Sequence, residues 1–153
     1  MRLPVEELLI EAGVEYRIIE LEARAISVDD VIEYSKEPIN PDEICKTILV
    51  RRKKQYTALF LRGADKIEFK KLKDLIGKST IASRAEVKEI TGVDAGAVCP
   101  LLLDVPVIVD KRVLDLERLN FGSGNHLFGV EINSDDLSRV LEYCVADFAE
   151  EIQ

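Results

Sequence analysis

Lys46 lies in the run Ile44-Cys45-Lys46-Thr47-Ile48-Leu49-Val50, which is β-branched and apolar enough to form a buried strand. Alternation along a strand puts Ile44, Lys46, Ile48 and Val50 on one face. A lysine in apolar company finds an anion, snorkels to water or titrates low. It therefore reads either as a strand-end lysine reaching solvent or as a fixed cation at a pocket mouth, suited to a phosphate or a polarised carbonyl. Two glycine-bearing segments could complete such a site. In Gly92-Val93-Asp94-Ala95-Gly96-Ala97-Val98-Cys99-Pro100, Gly96 can let a loop aim main-chain N–H groups at an anion, or can simply serve a tight connection. Gly122-Ser123-Gly124-Asn125-His126 suits a hairpin tip and is neither a dinucleotide fingerprint nor a P-loop.

Other chemistries lack their residues. His126 is the only histidine, so a Ser–His–acid triad would have to use it, and no Gly-x-Ser-x-Gly elbow accompanies it. One histidine also rules out a histidine-rich metal site. Cys45, Cys99 and Cys144 are odd in number and contain no Cys-x-x-Cys pair, which argues against a thiol zinc site and a disulfide framework. All three read as small buried hydrophobes, and neither a metal nor a cofactor is expected. Asp29/Asp30 and Asp135/Asp136 suit the first turns of helices.

Charge narrows the partners. A formal net charge of −8 argues against non-specific adhesion to nucleic acid, and no DNA partner is expected. Locally the balance differs: Arg51, Arg52, Lys53 and Lys54 directly follow the Lys46 strand, and five lysines follow at 66, 70, 71, 73 and 78. They read as a solvated turn and helix face, or as a track for backbone phosphates. No apolar stretch approaches the ~18 residues of a membrane span, so no membrane partner is expected. The first residues turn acidic at once, without a signal-peptide core, which points to the cytoplasm. With 47% hydrophobic beside 33% charged residues, the chain should fold as a globular protein, with 1–153 as a single domain.

The elements that must position these residues follow from periodicity and punctuation. Helical spacing over 3–12 ends at Gly13, a strand covers 14–21, and Ser27 with Asp30 opens a helix to about residue 35. Residues 44–51 and 56–62 form a hairpin, 68–76 a helix closed by Gly77, and 80–82 a short strand. Ser83 with Glu86 caps a helix ending at Gly92. Strands follow at 106–110, 118–121 and 127–132, and Ser134 caps a last helix to about residue 143. Hairpins mixed among alternating strands and helices indicate an α+β fold with a mixed, curved sheet rather than a doubly wound parallel one.

Taken in order, Lys46-Thr47-Ile48-Leu49-Val50, Thr91 to Pro100, Val107-Ile108-Val109-Asp110, Gly122-Ser123-Gly124 and Val130-Glu131-Ile132 resemble the YbaK family. These are free-standing relatives of the editing domain inserted in bacterial prolyl-tRNA synthetases. The resemblance covers nearly the whole chain and implies a partly barrel-like sheet flanked by helices. It implies hydrolysis of the ester between a wrong amino acid and its tRNA, with Lys46 and the loop glycine Gly96 at the reacting end. It further implies a substrate pocket lined by Thr47, Ala97, Cys99, Pro100, Gly122, Ser123 and Gly124. Arg51, Arg52, Lys53 and Lys54 would touch the acceptor end of the tRNA, and prolyl-tRNA synthetase is a possible partner. The substrate's own 2′-hydroxyl can assist attack, so no protein nucleophile is required.

The chain departs from two branches of that family. Leu21 stands where the cysteine-editing branch often has tyrosine, and Thr47 and Gly122 stand where the alanine-editing branch has asparagine and histidine. The expected activity is a trans-acting aminoacyl-tRNA deacylase for a small amino acid such as Ala, Cys or Ser, on tRNA-Pro. The alternative is a non-catalytic module of the same fold that binds tRNA or a synthetase. A thiol redox protein is a third reading, and it needs a reactive cysteine.

Overall fold

The computed structural model describes residues 2–150; residues 1 and 151–153, which the single-domain expectation also includes, lie outside the described residues. Helix α1 (Pro4–Ala12) begins with proline in its first turn and ends at Gly13 in the left-handed conformation. Strand β1 (Tyr16–Glu20) and helix α2 (Val28–Tyr34) follow. The Ser27 hydroxyl caps α2 by accepting from Asp30 N–H, while the Asp30 carboxylate reaches back one residue further, to Ile26 N–H. A 3-10 turn at Pro41–Glu43 leads into the hairpin of β2 (Cys45–Arg52) and β3 (Gln55–Arg62). Lys53, with φ 57°, turns the chain between them. Next come β4 (Lys66–Ile67), α3 (Phe69–Ile76), β5 (Thr80–Ile81) and α4 (Arg84–Thr91). The reciprocal Ser83/Glu86 capping box opens α4 and Gly92 closes it, as the sequence pattern requires.

Beyond α4 the chain runs through 3-10 turns at Ala95–Ala97 and Pro100–Leu102 into β6 (Val107–Asp110). A further 3-10 segment, Lys111–Asp115, leads to the hairpin of β7 (Arg118–Gly122) and β8 (Phe128–Asn133). The last helix is much shorter than its pattern suggests. α5 spans only Leu137–Val140, after a 3-10 turn at Ser134–Asp136, and the chain then extends into β9 (Cys144–Ala146) and β10 (Ala149–Glu150). Ser134 is no helix cap: its hydroxyl donates to the Leu116 carbonyl, so it ties down a loop instead.

Five strands make the central mixed sheet, in the order β5-β2-β3-β6-β9, with β2 antiparallel to β3 and β5, and β6 parallel to β3 and β9. A second, antiparallel sheet has the order β1-β8-β7. A single parallel bridge between Ile44 and Asn120 joins the two where β2 begins, giving a curved surface that does not close into a barrel. β2 pairs with β5 only at Val50 and Arg51, so between that pairing and the Ile44 bridge its outer edge faces the interior of the molecule.

Alternation on β2 and β3 divides the core. Cys45, Leu49, Ala58 and Phe60 face the larger cluster shared with α1 and the second sheet. Val50, Leu59 and Leu61, with Ile48, face a smaller one against Leu72 and Phe148. That smaller cluster depends on a buried carboxylate. Asp110 accepts from the main-chain N–H groups of Phe148 (3.0 Å) and Ala149 (2.9 Å) and from Arg112 N–H (3.0 Å), which fixes the last strand over α3.

Beside it, Asp147 meets Lys71 (2.9 Å), Arg112 (3.0 Å) and Lys111 (3.4 Å). Hydrogen bonds from Lys71 and then Arg112 hold its carboxyl well below the usual carboxylate range. A carboxylate depressed in the folded state contributes stability that is complete above its unfolded pKa, about 4, and is lost as pH falls further. Asp147→Asn should therefore flatten the pH dependence of urea-unfolding midpoints below about pH 4. An acid limb identical to wild type would show that the three cations do not act through Asp147.

Candidate functional site

A cavity of about 610 Å³ opens along the inner edge of β2, between the two sheets. Its walls come from seven places: Ile19 on β1, the segment from Leu21 into α2, the Pro41–Glu43 turn, the start of β2, the turn at Gly63, the 3-10 turn at Ala95–Ala97, and the β7–β8 hairpin. Because the cavity straddles a strand edge, it takes side chains from both faces of β2. Lys46 and Thr47, which alternation puts on opposite faces, both line it.

Lys46 is half-buried, and its ammonium donates to the Asp65 carbonyl at 2.6 Å. Burial pushes its pKa below the ordinary lysine value; the Asp65 carboxylate opposes this and Lys66 adds to it. Lys46 thus lines the cavity with its ammonium tied to main chain. Thr47 adds a polar atom in want of a partner. Among the described residues, its hydroxyl oxygen is the buried side-chain polar atom that makes no hydrogen bond. An unsatisfied buried hydroxyl costs about 1–3 kcal/mol unless something in the cavity meets it.

Two glycines close the opposite wall by letting main chains approach each other. A Cβ on Gly96 would stand 2.5 Å from Ile26 Cα, and one on Gly122 would stand 2.6 Å from the Val98 carbonyl oxygen. Neither position has room for a side chain, because backbone fills the space. Ala97 also lines the cavity, and its N–H donates to the Asp94 carbonyl at 2.9 Å. Leu21, where one branch of the resembling family has tyrosine, also lines it.

The remaining sequence-predicted residues lie elsewhere. Cys99 and Pro100 are buried behind the wall, outside the cavity lining. Ser123 is 1% exposed and donates to the Phe128 carbonyl at 2.6 Å, so it braces the hairpin. Gly124 borders a shallower neighbouring cleft with Arg24, Lys88 and Asp94. Arg51, Arg52, Lys53 and Lys54 occupy the far tip of the β2–β3 hairpin, six residues or about 20 Å along the strand from Lys46 at its Arg52 end. Arg51 pairs with Glu86 at 3.4 Å.

Sequence reasoning missed the clasp over the cavity. The His126 ring reaches the Ala25 carbonyl through Nδ1 (2.8 Å) and faces Asp94 through Nε2 (3.1 Å), while Arg24 ion-pairs with Asp94. His126 also accepts from Ala25 N–H through its own carbonyl, at 3.1 Å. The hydrogen bond from His126 holds the Asp94 carboxyl below its usual range. Three loops distant in sequence are thus pinned together. The histidine and Asp94 were visible in the two glycine segments, but their partner Arg24 carried no pattern of its own.

Cysteine chemistry is weak where it would matter. Cys45 lines the cavity, but burial pushes its thiol up, and burial pushes Cys99 up to about 12. Cys144, against the sequence expectation, is exposed: its strand β9 is the last of the central sheet and shows that face to solvent. Among the described residues no cluster of His, Cys, Asp and Glu is placed to hold a metal ion, and no helix is long and apolar enough to cross a membrane. A thiol reagent should label one cysteine per folded chain rapidly, that one being lost in Cys144→Ser, with Cys45 and Cys99 reacting only on unfolding. Rapid labelling of Cys45 would contradict the burial described here.

Comparison with known proteins fits this architecture. The hypothetical protein APE2540 superposes with a TM-score of 0.82 at 25% identity, over 95% of this chain and 99% of that one. A protein proposed as a trans-editing enzyme for prolyl-tRNA synthetase gives 0.79 at 20% identity, over 95% of this chain and 94% of the other. The fold also occurs within a larger chain: a proposed signal transduction protein from Marinobacter aquaeolei VT8 gives 0.72 at 20% identity, matching 98% of this chain but 31% of its own. At sequence level, the family model for the aminoacyl-tRNA editing domain matches residues 25–140, a span holding the start of α2, Lys46, both close-approach glycines and the clasp histidine. The chain belongs to the aminoacyl-tRNA editing domain family.

Proposed function

We propose that this protein is a trans-acting deacylase that hydrolyses the ester of a mischarged tRNA, taking a small amino acid such as Ala, Cys or Ser, on tRNA-Pro. The observation that carries this reading is the convergence of Lys46, Thr47 and the Gly96 turn on one cavity whose walls offer no activated nucleophile. An aminoacyl ester supplies its own assistant in the neighbouring 2′-hydroxyl, which can activate or position water. The protein then has to bind, orient and stabilise charge. Membership of the editing family and the likeness to a proposed trans-editing enzyme for prolyl-tRNA synthetase support the same substrate class and suggest that synthetase as a partner.

In this mechanism the terminal adenosine enters along the β2 edge. Lys46 donates to its phosphate or to the ester carbonyl, and main-chain N–H groups near Gly96 stabilise the oxyanion formed when water attacks. Collapse of the tetrahedral intermediate releases the amino acid and returns the proton to the ribose oxygen. A cavity of about 610 Å³ can hold the terminal nucleoside with an aminoacyl ester beside it. The basic hairpin tip at Arg51–Lys54 would meet phosphates of the acceptor stem about 20 Å from the reacting end.

The test is deacylation of tRNAs charged with Ala, Cys, Ser and Pro by wild type and Lys46→Ala. Selective hydrolysis of one ester, reduced about 10²-fold or more in the variant, is expected. Folded wild-type protein that binds these tRNAs and leaves every ester intact would instead identify a binding module. Gly96→Ala, which crowds the Ile26 main chain, should lower kcat as well, with its far-ultraviolet circular dichroism unchanged. Full activity in Gly96→Ala would remove this turn from the mechanism.

A further inference from the structure

The Lys46 ammonium has a fixed anchor. It donates to the main-chain carbonyl of Asp65 at 2.6 Å, in the turn between β3 and β4. That turn is itself held by its own carboxylate. Asp65 is 1% exposed, and Arg62 grips its carboxylate at two points: Nε to Oδ2 at 2.7 Å and a terminal nitrogen to Oδ1 at 3.2 Å. Two-point pairing of a guanidinium with a carboxylate fixes distance and plane together. Burying the carboxylate of an ion pair is an expensive way to close a short turn, since apolar residues of similar size would serve stability as well. Its position directly behind the Lys46 anchor gives it another use.

We infer that Asp65 is a positioning residue for Lys46: gripped by Arg62, it aims the ammonium into the cavity and keeps it charged there. The inference rests on Lys46 acting as the cation of the proposed reaction. The Asp65 carbonyl takes one of the three ammonium hydrogens, which leaves two for a ligand in the cavity. The Asp65 carboxylate, close behind, supplies the negative potential that offsets the loss of water around Lys46.

The other charged and titratable groups around Lys46 belong to every neighbouring element. Cys45 precedes it on β2, Lys66 follows Asp65 on β4, and Arg62 ends β3. Asp29 from α2, Asp42 from the Pro41–Glu43 turn and His126 from the β7–β8 hairpin face the same cavity. Among the described residues, the Lys46 ammonium hydrogen-bonds to Asp65 and to none of these groups.

The two members of the fork should act on Lys46 with opposite sign. Asp65→Asn keeps the shape of the side chain and removes the anion, so the ammonium should lose its proton at lower pH than in wild type. Arg62→Gln removes the cation that neutralises Asp65, so the ammonium should hold its proton to higher pH. The measurement is the ¹³C shift of Lys46 Cε in lysine-labelled protein, followed against pH and assigned by its absence in Lys46→Arg. A pair of shifts in these opposite directions is the expected result. Both shifts in one direction, or no shift in either folded variant, would overturn the inference. Should Asp65→Asn fail to fold, the direction of the Arg62→Gln shift decides alone. No ester is consumed in this measurement, so it separates the two ideas. A protein that hydrolyses no mischarged tRNA yet shows the opposed shifts keeps the coupling and loses the reaction; an active deacylase without them keeps the reaction and loses the coupling.

Discussion

The cavity exists because main chain meets main chain at two points, Gly96 against Ile26 and Gly122 against the Val98 carbonyl. With a side chain at either position the main chains would have to separate by about an ångström, and the wall facing Lys46 would open. Interiors are packed too tightly to absorb such a shift locally. The clasp of Arg24, Asp94 and His126 works on the same seam from the solvent side, tying the segment before α2 to the loop after α4 and to the β7–β8 hairpin. Steric closeness sets the shape, and polar contacts keep three loops in register around it.

Opposite that wall the constraint is electrostatic. Lys46 sits on the face of β2 that otherwise carries Ile48 and Val50 into the smaller core, so its charge is costly there. The cost is met by the Asp65 carbonyl and by the buried carboxylate behind it. The same smaller core receives the end of the chain through Asp110, whose carboxylate gathers two main-chain N–H groups that no strand partner serves. Two buried aspartates thus bracket one side of the central sheet, one at the cavity and one at the last strand.

Much of this was legible in the sequence where local chemistry decides the outcome. The Ser83/Glu86 box, the glycine stops at 13, 77 and 92, and the β2–β3 hairpin follow from propensity and punctuation. The segment after Ser134 was not legible, because its outcome is tertiary. Ser134 prefers the Leu116 carbonyl to a helix end, and residues 144–146 extend to pair with β6. At the site, Lys46, Gly96 and Gly122 stood out by type, whereas Cys99, Pro100 and Ser123 were close in sequence to the cavity but support it from behind. Asp65 carried no signal, since one acid in a polar turn looks like any other until its burial is known. Arg24 was silent for the same reason.

The inner edge of β2 has one more consequence. An unpaired strand edge is a template on which another chain can add itself, and proteins usually blunt such edges with charge or cover them. Here the bare stretch is half-buried along the cavity, flanked by the start of α2, the Ala95–Ala97 turn and the β7–β8 hairpin. The segments that shape a chamber for a small guest are therefore also a guard against self-association. Loosening them to admit a larger guest would uncover a surface on which neighbouring copies could zip together.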